Sequence, residues 1–352
     1  MGFLRNSFLL FSLVLILSAC NSNPYDVDVS DINLPLTFHN SDSVLATPNP
    51  NIQLGHRNEL GQIDKDIAGY LFGYCYGIRL SPDSSFINGM NRYNQNPFVI
   101  RLEQRIGNQF GKKLPTHQAS LSDAFKRMKF HFKKSPVPQH IFWINSGFTS
   151  SVFCSEKSIA IGLERYLGDK TDVIKELPND RFFSWIKEGM APQFMERDAV
   201  IGWLSTHYIE ETKENYATEM IRWGKLLFIT SACLPHEKEA VILRYTSKDY
   251  DWAVASEGAL WKYIVDEQLL YNSGEDAKQS LLHEGPFTRG LPQESPDRMG
   301  QFLGYRMVKQ YMEQNNLSLA QLQQTPTQAY VVSGEVTSAQ ALDRNRVQNA
   351  TL

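Results

Sequence analysis

The chain has 352 residues, a formal net charge of −3 and a hydrophobic fraction of 42%. That fraction is enough for a sizeable core, and no basic cluster offsets the slightly acidic balance, which argues against nucleic acid as a partner. Four cysteines are too few for a disulfide scaffold, so the core must hold the fold together.

The N-terminus has the pattern of a lipoprotein signal peptide. Arg5 supplies a positive charge, Phe8–Leu17 is apolar, and small residues precede Cys20. A spanning helix needs about 20 apolar residues, so this shorter run predicts a signal peptide over residues 1–19. We expect acylation of Cys20 and anchoring in a lipid bilayer, which is stable when two or more chains are attached. The alternative is an ordinary secretory peptide in which the cysteine is a coincidence.

After the signal peptide we expect one globular unit on a short tether. Residues 20–26 are predicted to be the lipidated tether, and residues 27–335 show neither an internal repeat nor a clear linker. Residues 336–352 are polar and predict a frayed C-terminal tail. Beyond the signal peptide, no apolar run in the sequence is long enough to span a bilayer.

The first half of this unit is predicted to begin with a strand. The period-two alternation in Asp28–Phe38 is typical of a strand, whereas residues 39–55, rich in Asn, Ser and Pro, predict a loop. Helices are predicted in three segments: 62–77, 98–110, and a segment capped by Ser120 or Ser122 that ends near His131.

In the second half the pattern changes from strands to helices. Gln139–Asn145 is rich in β-branched and aromatic residues and predicts a strand, and residues 151–161 predict a hairpin. From Arg181 onward we expect mostly helix. The segment Tyr216–Phe228 is apolar on two neighbouring helix faces, which indicates a buried helix, and another long helix is predicted over Asp251–Leu270.

A further helix is predicted to start at Ser295, which is a suitable N-cap. Pro296 fits the first helical position, and the aspartate after it complements the helix dipole. Gly300 and Gly304 lie one turn apart on one face and allow another backbone to approach closely. The segment Gln314–Asn316 is expected to end this helix.

Four groups of segments together resemble the gliding-motility lipoprotein GldB of gliding Bacteroidota. They are Val27–Ile32; Ile159–Gly168; Met220–Lys225 with Leu234–Pro235, Tyr245–Thr246 and Trp252; and Trp261–Tyr271 with Gly285–Phe287 and Glu294–Tyr305. The last group is the most specific. The chain departs from the family pattern at Asp297, where a glycine is usual, and over residues 40–60.

This resemblance implies a lipoprotein that supports gliding motility. The family is similar in turn to predicted zinc peptidases of the zincin type, in which a hairpin precedes a helix carrying His-Glu-x-x-His and a second helix supplies a glutamate ligand. It therefore implies an α+β, predominantly helical, zincin-like domain, with a small sheet and hairpin followed by packed helices.

The sequence does not contain the zinc motif that this likeness requires. His236 and His283 each precede a glutamate, but neither is followed by a second histidine four residues later. His207 and Glu211 share a helix face, a spacing more typical of a surface ion pair. We therefore expect a degenerate metal site, no cofactor and no enzymatic activity. The alternative is a zincin-like hydrolase with an atypical site.

Cysteine chemistry is also weakly indicated. With Cys20 acylated, Cys75, Cys154 and Cys233 remain, and this odd number allows at most one disulfide. Gly73–Gly77 places Cys75 at the spacing of a nucleophile elbow, which needs a preceding strand and a following helix. Because a helix-like pattern precedes it, we expect a packed helix end.

The turn around Arg298 is the candidate partner-binding site. A helix N-terminus attracts anions, and Arg298 would join it in binding a carboxylate from a partner. The alternative is a well-capped helix in which Arg298 pairs with Glu294 or Asp297. The candidate site residues are Glu294, Ser295, Pro296, Arg298, Gly300 and Gly304.

Taken with the resemblance, these features predict a non-catalytic binding or assembly component of the gliding or secretion machinery, with protein partners. A structural envelope lipoprotein is a further alternative. Asn21 follows Cys20 and is not an acidic retention signal. We therefore expect the outer membrane, with the domain facing the periplasm, rather than the inner membrane or the cell surface.

Overall fold

The computed structural model describes residues 24–209 and 214–333. The predictions for the signal peptide, for Cys20 and for the tail 336–352 fall outside these described residues. Within them the fold is α+β and mostly helical, with one small four-stranded sheet. None of the helices in the described part of the chain is both long enough and apolar enough to cross a bilayer.

The elements follow the chain in a strand, a run of helices, three strands and a second run of helices. The strands are β1 (Thr37–Asn40), β2 (His140–Ile144), β3 (Val152–Cys154) and β4 (Ser158–Gly162). The helices are α1 (Ser41–Ala46), α2 (Pro50–Ile63), α3 (Lys65–Ala68), α4 (Asp83–Asn94), α5 (Pro97–Phe110), α6 (Leu114–His131), α7 (Asp172–Lys175), α8 (Ser184–Glu188), α9 (Met195–His207), α10 (Tyr216–Cys233), α11 (Glu239–Leu243), α12 (Ser247–Asp266), α13 (Glu275–Leu282), α14 (Met299–Asn315) and α15 (Leu319–Gln324).

The sheet has the strand order β1-β2-β4-β3. Strands β1, β2 and β4 run parallel, and β3 is antiparallel to β4, which confirms the predicted hairpin. Parallel neighbours need a long crossover, and helices α1 to α6 provide it between β1 and β2. All five residues of β4 are buried, so the sheet lies inside the molecule with helices on both faces.

The predictions for the first part of the chain were partly wrong. The strand predicted over Asp28–Phe38 is confined to β1, and most of residues 39–55, predicted as a loop, belong to the end of β1, to α1 and to the start of α2. Asn40 and Asn49 cap α1 and α2 with their side chains, and Pro50 occupies the start of α2. Residues that are common in loops are thus the start signals of two helices here.

The next helices were predicted with uneven accuracy. The helix predicted over 98–110 is confirmed as α5. Residues 62–77, predicted as one helix, comprise the end of α2, then α3, then a π-helical segment, Gly69–Cys75. Helix α6 ends at His131 as expected but starts at Leu114, before either predicted serine cap.

The centre of the second half is the crossing of α10 and α14. Both helices are largely buried, as the apolar pattern predicts for α10. A Cβ atom on Gly224 would lie 2.2 Å from the carbonyl oxygen of Gly304, and one on Gly304 would lie 2.0 Å from that of Met220. The close backbone approach expected at Gly304 is therefore confirmed, and its partner is a helix of the same chain.

The predicted start of α14 was wrong. The helix begins at Met299, after Arg298 adopts a left-handed conformation with φ of 54°. Thr288 replaces Ser295 as the local cap, because its hydroxyl donates to the carbonyl of Pro296 at 2.7 Å and accepts from the N–H of Met299 at 3.2 Å. The helix ends as predicted, with Asn316 in the left-handed conformation.

Candidate functional site

A cleft of about 570 Å³ opens beside the predicted partner-binding turn. We call it the arginine cleft, after the three arginines that line it. Its lining comes from Arg165, Phe194 and residues of the segments 149–151, 185–189, 244–249, 284–286 and 293–298.

The predicted site residues divide between this cleft and the interior. Glu294, Ser295, Pro296 and Arg298 are cleft residues. Gly300 and Gly304 are buried among α10, α13 and α14 and do not line the cleft. Their role in the structure is to let helices pack closely inside the domain.

Two of the cleft arginines hold strained backbone. Arg244 ends α11 with φ of 60°, and Arg298 precedes α14 with φ of 54°. Residues other than Gly, Asn and Asp seldom adopt this left-handed backbone conformation, and each one that does costs on the order of 1 kcal/mol. The Arg298 side chain donates to the carbonyl of Arg244 at 3.2 Å and so links the two turns. Backbone strain of this kind clusters at functional sites.

Arg298 is buried and paired. Its Nη2 lies 2.9 Å from Asp297 Oδ1, and its Nη1 lies 3.6 Å from Glu284 Oε1. The guanidinium also sits 5.9 Å from the centre of the Tyr245 ring. Burial opposes the charge, but Asp297 and Glu284 outweigh it and raise the pKa of Arg298. The predicted pairing with Asp297 is thus confirmed, whereas Glu294 forms no ion pair with Arg298.

Arg244 is held by a buried carboxylate. Its Nη1 lies 3.1 Å from Asp198 Oδ2 and 3.8 Å from Glu284 Oε1, and its Nη2 donates to the carbonyl of Gly189. Asp198 also pairs with Arg197 at 2.9 Å and accepts from the hydroxyl of Tyr166 at 3.0 Å. Asp198 therefore compensates two buried guanidinium groups.

Arg165 differs from the other two. Its Nε lies 3.3 Å from the hydroxyl of Ser151, and its Nη1 lies 3.5 Å from the carbonyl of Phe148. Among the described residues, none places a carboxylate oxygen within 4 Å of this guanidinium. Burial lowers the pKa of Arg165, although Glu164 acts in the opposite direction.

A second polar group lies at the carboxyl ends of the parallel strands. We call Asp42, Glu103 and Glu164 the carboxyl cluster: Asp42 follows β1, Glu164 follows β4, and Glu103 comes from α5. Asn145, after β2, donates to Glu103 Oε1 at 2.6 Å. Glu164 Oε1 accepts from the backbone N–H of Phe148 at 3.0 Å.

Burial raises the pKa of all three carboxyl groups in this cluster. The neighbouring Glu103 carboxyl raises the pKa of Asp42 further, whereas its hydrogen bonds with Asp42 and Asn145 offset part of the rise at Glu103. Asp42 Oδ1 and Glu164 Oε2 find no hydrogen-bond partner in the described structure. The arrangement favours carboxyl groups that carry protons.

Sequence reasoning missed this cluster, although a signal was present. In sheets with parallel strands, polar residues directly after the strands meet at one edge. Residues 39–55 were predicted as a loop, so Asp42 was not connected with the end of a strand. Glu103 lies within a predicted helix and carries no local signal of its position.

The weaker sequence candidates have structural roles. His207 Nε2 lies 3.0 Å from the carbonyl oxygen of Ser155, and its ring centre lies 3.8 Å from that of Trp203; Glu211 is outside the described residues. Cys75 ends a π-helical segment with no strand before it, so the elbow geometry is not formed, and burial raises the pKa of its thiol.

The described residues also bear on the predictions about metal ligands and disulfides. Within residues 24–209 and 214–333, no three or more His, Cys, Asp or Glu side chains are grouped so that they would hold a metal ion. Cys75, Cys154 and Cys233 are all free thiols, so the one disulfide that the count allowed is not formed among them.

Comparison with known proteins identifies a family. The family model described as gliding motility protein GldB matches residues 22–331, which include both the arginine cleft and the carboxyl cluster. No curated protein and no solved structure matches the chain.

Proposed function

The chain belongs to the gliding motility protein GldB family, and we propose that it acts as a non-catalytic contact component of the motility machinery. Membership implies involvement in gliding motility and association with the cell envelope. The proposal adds how the protein contributes: it binds a protein partner in the arginine cleft while a lipid anchor holds it at the membrane. The observation that carries it is the charged cleft around the turn 294–298.

The proposed anchor is acylated Cys20, in the outer membrane with the domain facing the periplasm. The domain begins close to it. The hydroxyl of Tyr25 donates to the carbonyl of Leu317 at 2.9 Å, its ring lies 5.3 Å from that of Phe228, and Asp26 pairs with Arg127 at 3.4 Å. The five residues from Cys20 to Tyr25 span at most about 18 Å when extended. A domain attached in this way acts within a short distance of the bilayer.

We also propose that this domain has a zincin-like fold with a degenerate metal site. Its support is the order of elements: the hairpin β3–β4 is followed by helices α9 and α10, as the likeness to zincins requires. A zincin-like hydrolase with an atypical site is the competing proposal. Metal analysis of the purified full chain separates them, since about one equivalent of tightly held zinc would overturn the non-catalytic assignment.

The anchor and the cleft are tested separately in cells. Cys20→Ser is expected to release a folded protein and abolish gliding, and normal gliding by this variant would contradict the role of the anchor. A photo-crosslinking amino acid at Glu294, exposed on the cleft rim, is expected to capture a component of the motility machinery. The matched control is Lys262, exposed on α12 about 20 Å along the helix from the cleft residue Asp249.

The crosslinking experiment has a decisive negative outcome. Capture of the same protein at position 262 and at position 294 would mean proximity rather than binding in the cleft. Equal capture in non-gliding cells that lack the machinery would also overturn the proposed contact.

A further inference from the structure

We propose that the arginine cleft is a receptor for a single carboxylate of a protein partner, and that Glu284 occupies part of this receptor in the free protein. This inference rests on the proposed contact function and names the chemical group that the cleft recognises. It also assigns a competing role to one side chain of the chain itself.

The first support is the weak pairing of Arg165. Its side chain is partly buried and no described carboxylate oxygen lies within 4 Å of its guanidinium, so the more distant Glu164 and Glu284 offset only part of its loss of hydration. The two hydrogen bonds of Arg165, at 3.3 and 3.5 Å, are long. A planar guanidinium offers paired donors that match a carboxylate. Arg165 therefore favours an anion that reaches it through the cleft.

The second support is the weak attachment of Glu284. Its carboxylate lies 3.6 Å from Arg298 Nη1 and 3.8 Å from Arg244 Nη1, and its side chain is 53% exposed. Direct charge-assisted hydrogen bonds measure about 2.7–2.9 Å, and exposed pairs contribute about 0–1 kcal/mol. Asp297 and Asp198 hold the same arginines at 2.9 and 3.1 Å. Glu284 is thus the anion that an incoming carboxylate can replace.

The third support is an unused hydroxyl. Ser295 is 3% exposed and lines the cleft, and its Oγ has no hydrogen-bond partner in the described part of the chain. Leaving a buried polar group unsatisfied costs about 1–3 kcal/mol. Because this oxygen is itself buried, a carboxylate in the cleft would accept from it after a rotation of the Ser295 side chain.

The charges of the cleft favour a monoanion over a phosphate. Of the three guanidinium groups that line the cleft, only that of Arg165 has no described carboxylate within 4 Å, and beside Lys248 the lining carries three further carboxylates, those of Glu188, Asp249 and Glu294. A dianionic phosphate would bring a second negative charge near these groups, and like charges repel. The position of Glu284 between two arginines also shows that the site accepts a carboxylate.

The test measures binding of labelled peptides to the full-length lipidated protein in detergent micelles. The probe is Gly-Gly-Leu labelled at its N-terminus with an uncharged boron-dipyrromethene dye and carrying a free C-terminal carboxylate, and its C-terminal amide is the matched control. A third peptide, amidated and carrying one Asp side chain, distinguishes a C-terminal from a side-chain carboxylate. Fluorescence anisotropy is expected to give binding at least about tenfold tighter for a carboxylate than for the neutral amide, which equals about 1.4 kcal/mol.

Two variants act in opposite directions. Glu284→Gln keeps the side-chain shape but removes the competing charge, so it is expected to strengthen binding of the carboxylate peptide about threefold or more. Arg165→Gln is expected to weaken it about tenfold or more. Arg101→Gln is the control, because Arg101 pairs with Glu176 and does not line the cleft. Thermal unfolding of each variant verifies that it is folded.

The inference is overturned if the carboxylate peptide binds no tighter than its amide, or if Glu284→Gln leaves the affinity unchanged. Tighter binding of a matched phosphoserine peptide would overturn the assignment to a carboxylate. Carboxylate binding together with normal gliding of Arg165→Gln cells would leave the receptor in place and refute the contact function. Specific capture at position 294 without carboxylate binding would support the contact function and refute the carboxylate receptor.

Discussion

The arginine cleft and the carboxyl cluster handle buried charge in opposite ways. The two regions meet at consecutive residues: Glu164 accepts from the backbone N–H of Phe148, while Arg165 donates to the carbonyl of the same residue. Arg244 and Arg298 each have a carboxylate oxygen about 3 Å from the guanidinium, that of Asp198 at 3.1 Å and that of Asp297 at 2.9 Å. The described carboxyls of the cluster have no cation within ion-pairing distance, and burial shifts their pKa upward.

This difference separates a region suited to recognising ions from one that responds to protons. The pKa of an arginine lies far above physiological pH, so the cleft keeps its charge in the cell. A carboxyl with a raised pKa changes its charge nearer to neutral pH. The loop between β2 and β3 forms a wall of the cleft and also contacts the carboxyl cluster. Substitutions in one region can therefore be compared with substitutions in the other.

The largest expected effect on stability comes from removing the carboxylate of Asp198, which pairs with both Arg197 and Arg244. Asp198→Asn leaves Arg197 and Arg244 buried without their carboxylate, which is expected to cost about 3–5 kcal/mol in the free energy of unfolding. Urea denaturation measures it. Asp172→Asn is the control, since this exposed partner of Arg105 lies on the surface and its loss is expected to change stability little. Equal effects of the two substitutions would show that the cleft pair is not structurally important.

In the carboxyl cluster, unlike at Asp198, the charged form of the carboxyls is expected to destabilise the folded protein. Because its pKa values are raised in the folded state, the folded protein binds more protons than the unfolded chain between the ordinary carboxyl pKa and the raised one. Stability contributed by this cluster therefore falls as pH rises through that window.

Asp42→Asn removes the most strongly affected carboxyl of the cluster. We expect it to flatten the fall in stability with pH and to raise the free energy of unfolding at pH 7 by about 1 kcal/mol or more. Urea denaturation from pH 4.5 to pH 8 measures both effects, with Asp66→Asn, on the exposed side of α3, as the control. An unchanged pH profile would contradict the assignment.

Part of this picture was accessible from the sequence, and the accessible part is local. The strand predicted at Gln139–Asn145 and the hairpin are confirmed because short runs rich in β-branched and aromatic residues favour strands, and α10 is confirmed because its apolar residues follow the helical period. The prediction at Ser295 was wrong because the local Ser-Pro-Asp pattern competes with tertiary contacts. Thr288 caps the helix, and Arg298 reaches back to the carbonyl of Arg244.

The two sites could not be predicted in full because distant residues build them. The cleft brings together Arg165 from a 3-10 turn after β4, Arg244 from the end of α11 and Arg298 from the residue before α14, and only Arg298 lies in a segment with a recognisable local pattern. The carboxyl cluster depends on the order of strands in the sheet, and this order is not visible in periodicity. The match to the GldB family identifies the family but does not describe either site.

A smaller effect is expected where the two regions are joined. Tyr70 belongs to the π-helical segment Gly69–Cys75, and its hydroxyl lies 2.6 Å from that of Ser150 in the cleft wall. Tyr70→Phe is expected to cost about 1 kcal/mol, the net worth of one hydrogen bond. Thermal unfolding measures this loss. Tyr74→Phe is the control because Tyr74 is 74% exposed, and an equal loss in that variant would mean that the bond contributes nothing specific.

The smallest expected effect on stability is that of Glu284→Gln, although this substitution is expected to strengthen binding of the carboxylate peptide. Its carboxylate is exposed and lies too far from Arg244 and Arg298 for direct hydrogen bonds, so Glu284→Gln is expected to change the free energy of unfolding by no more than about 0.5 kcal/mol. Asp297→Asn at the same arginine is expected to cost more, because Asp297 lies 2.9 Å from the guanidinium and is largely buried. Urea denaturation of the two variants ranks them. If Glu284→Gln destabilised the protein as much as Asp297→Asn, Glu284 would be a fixed part of the cleft rather than an anion that a partner replaces.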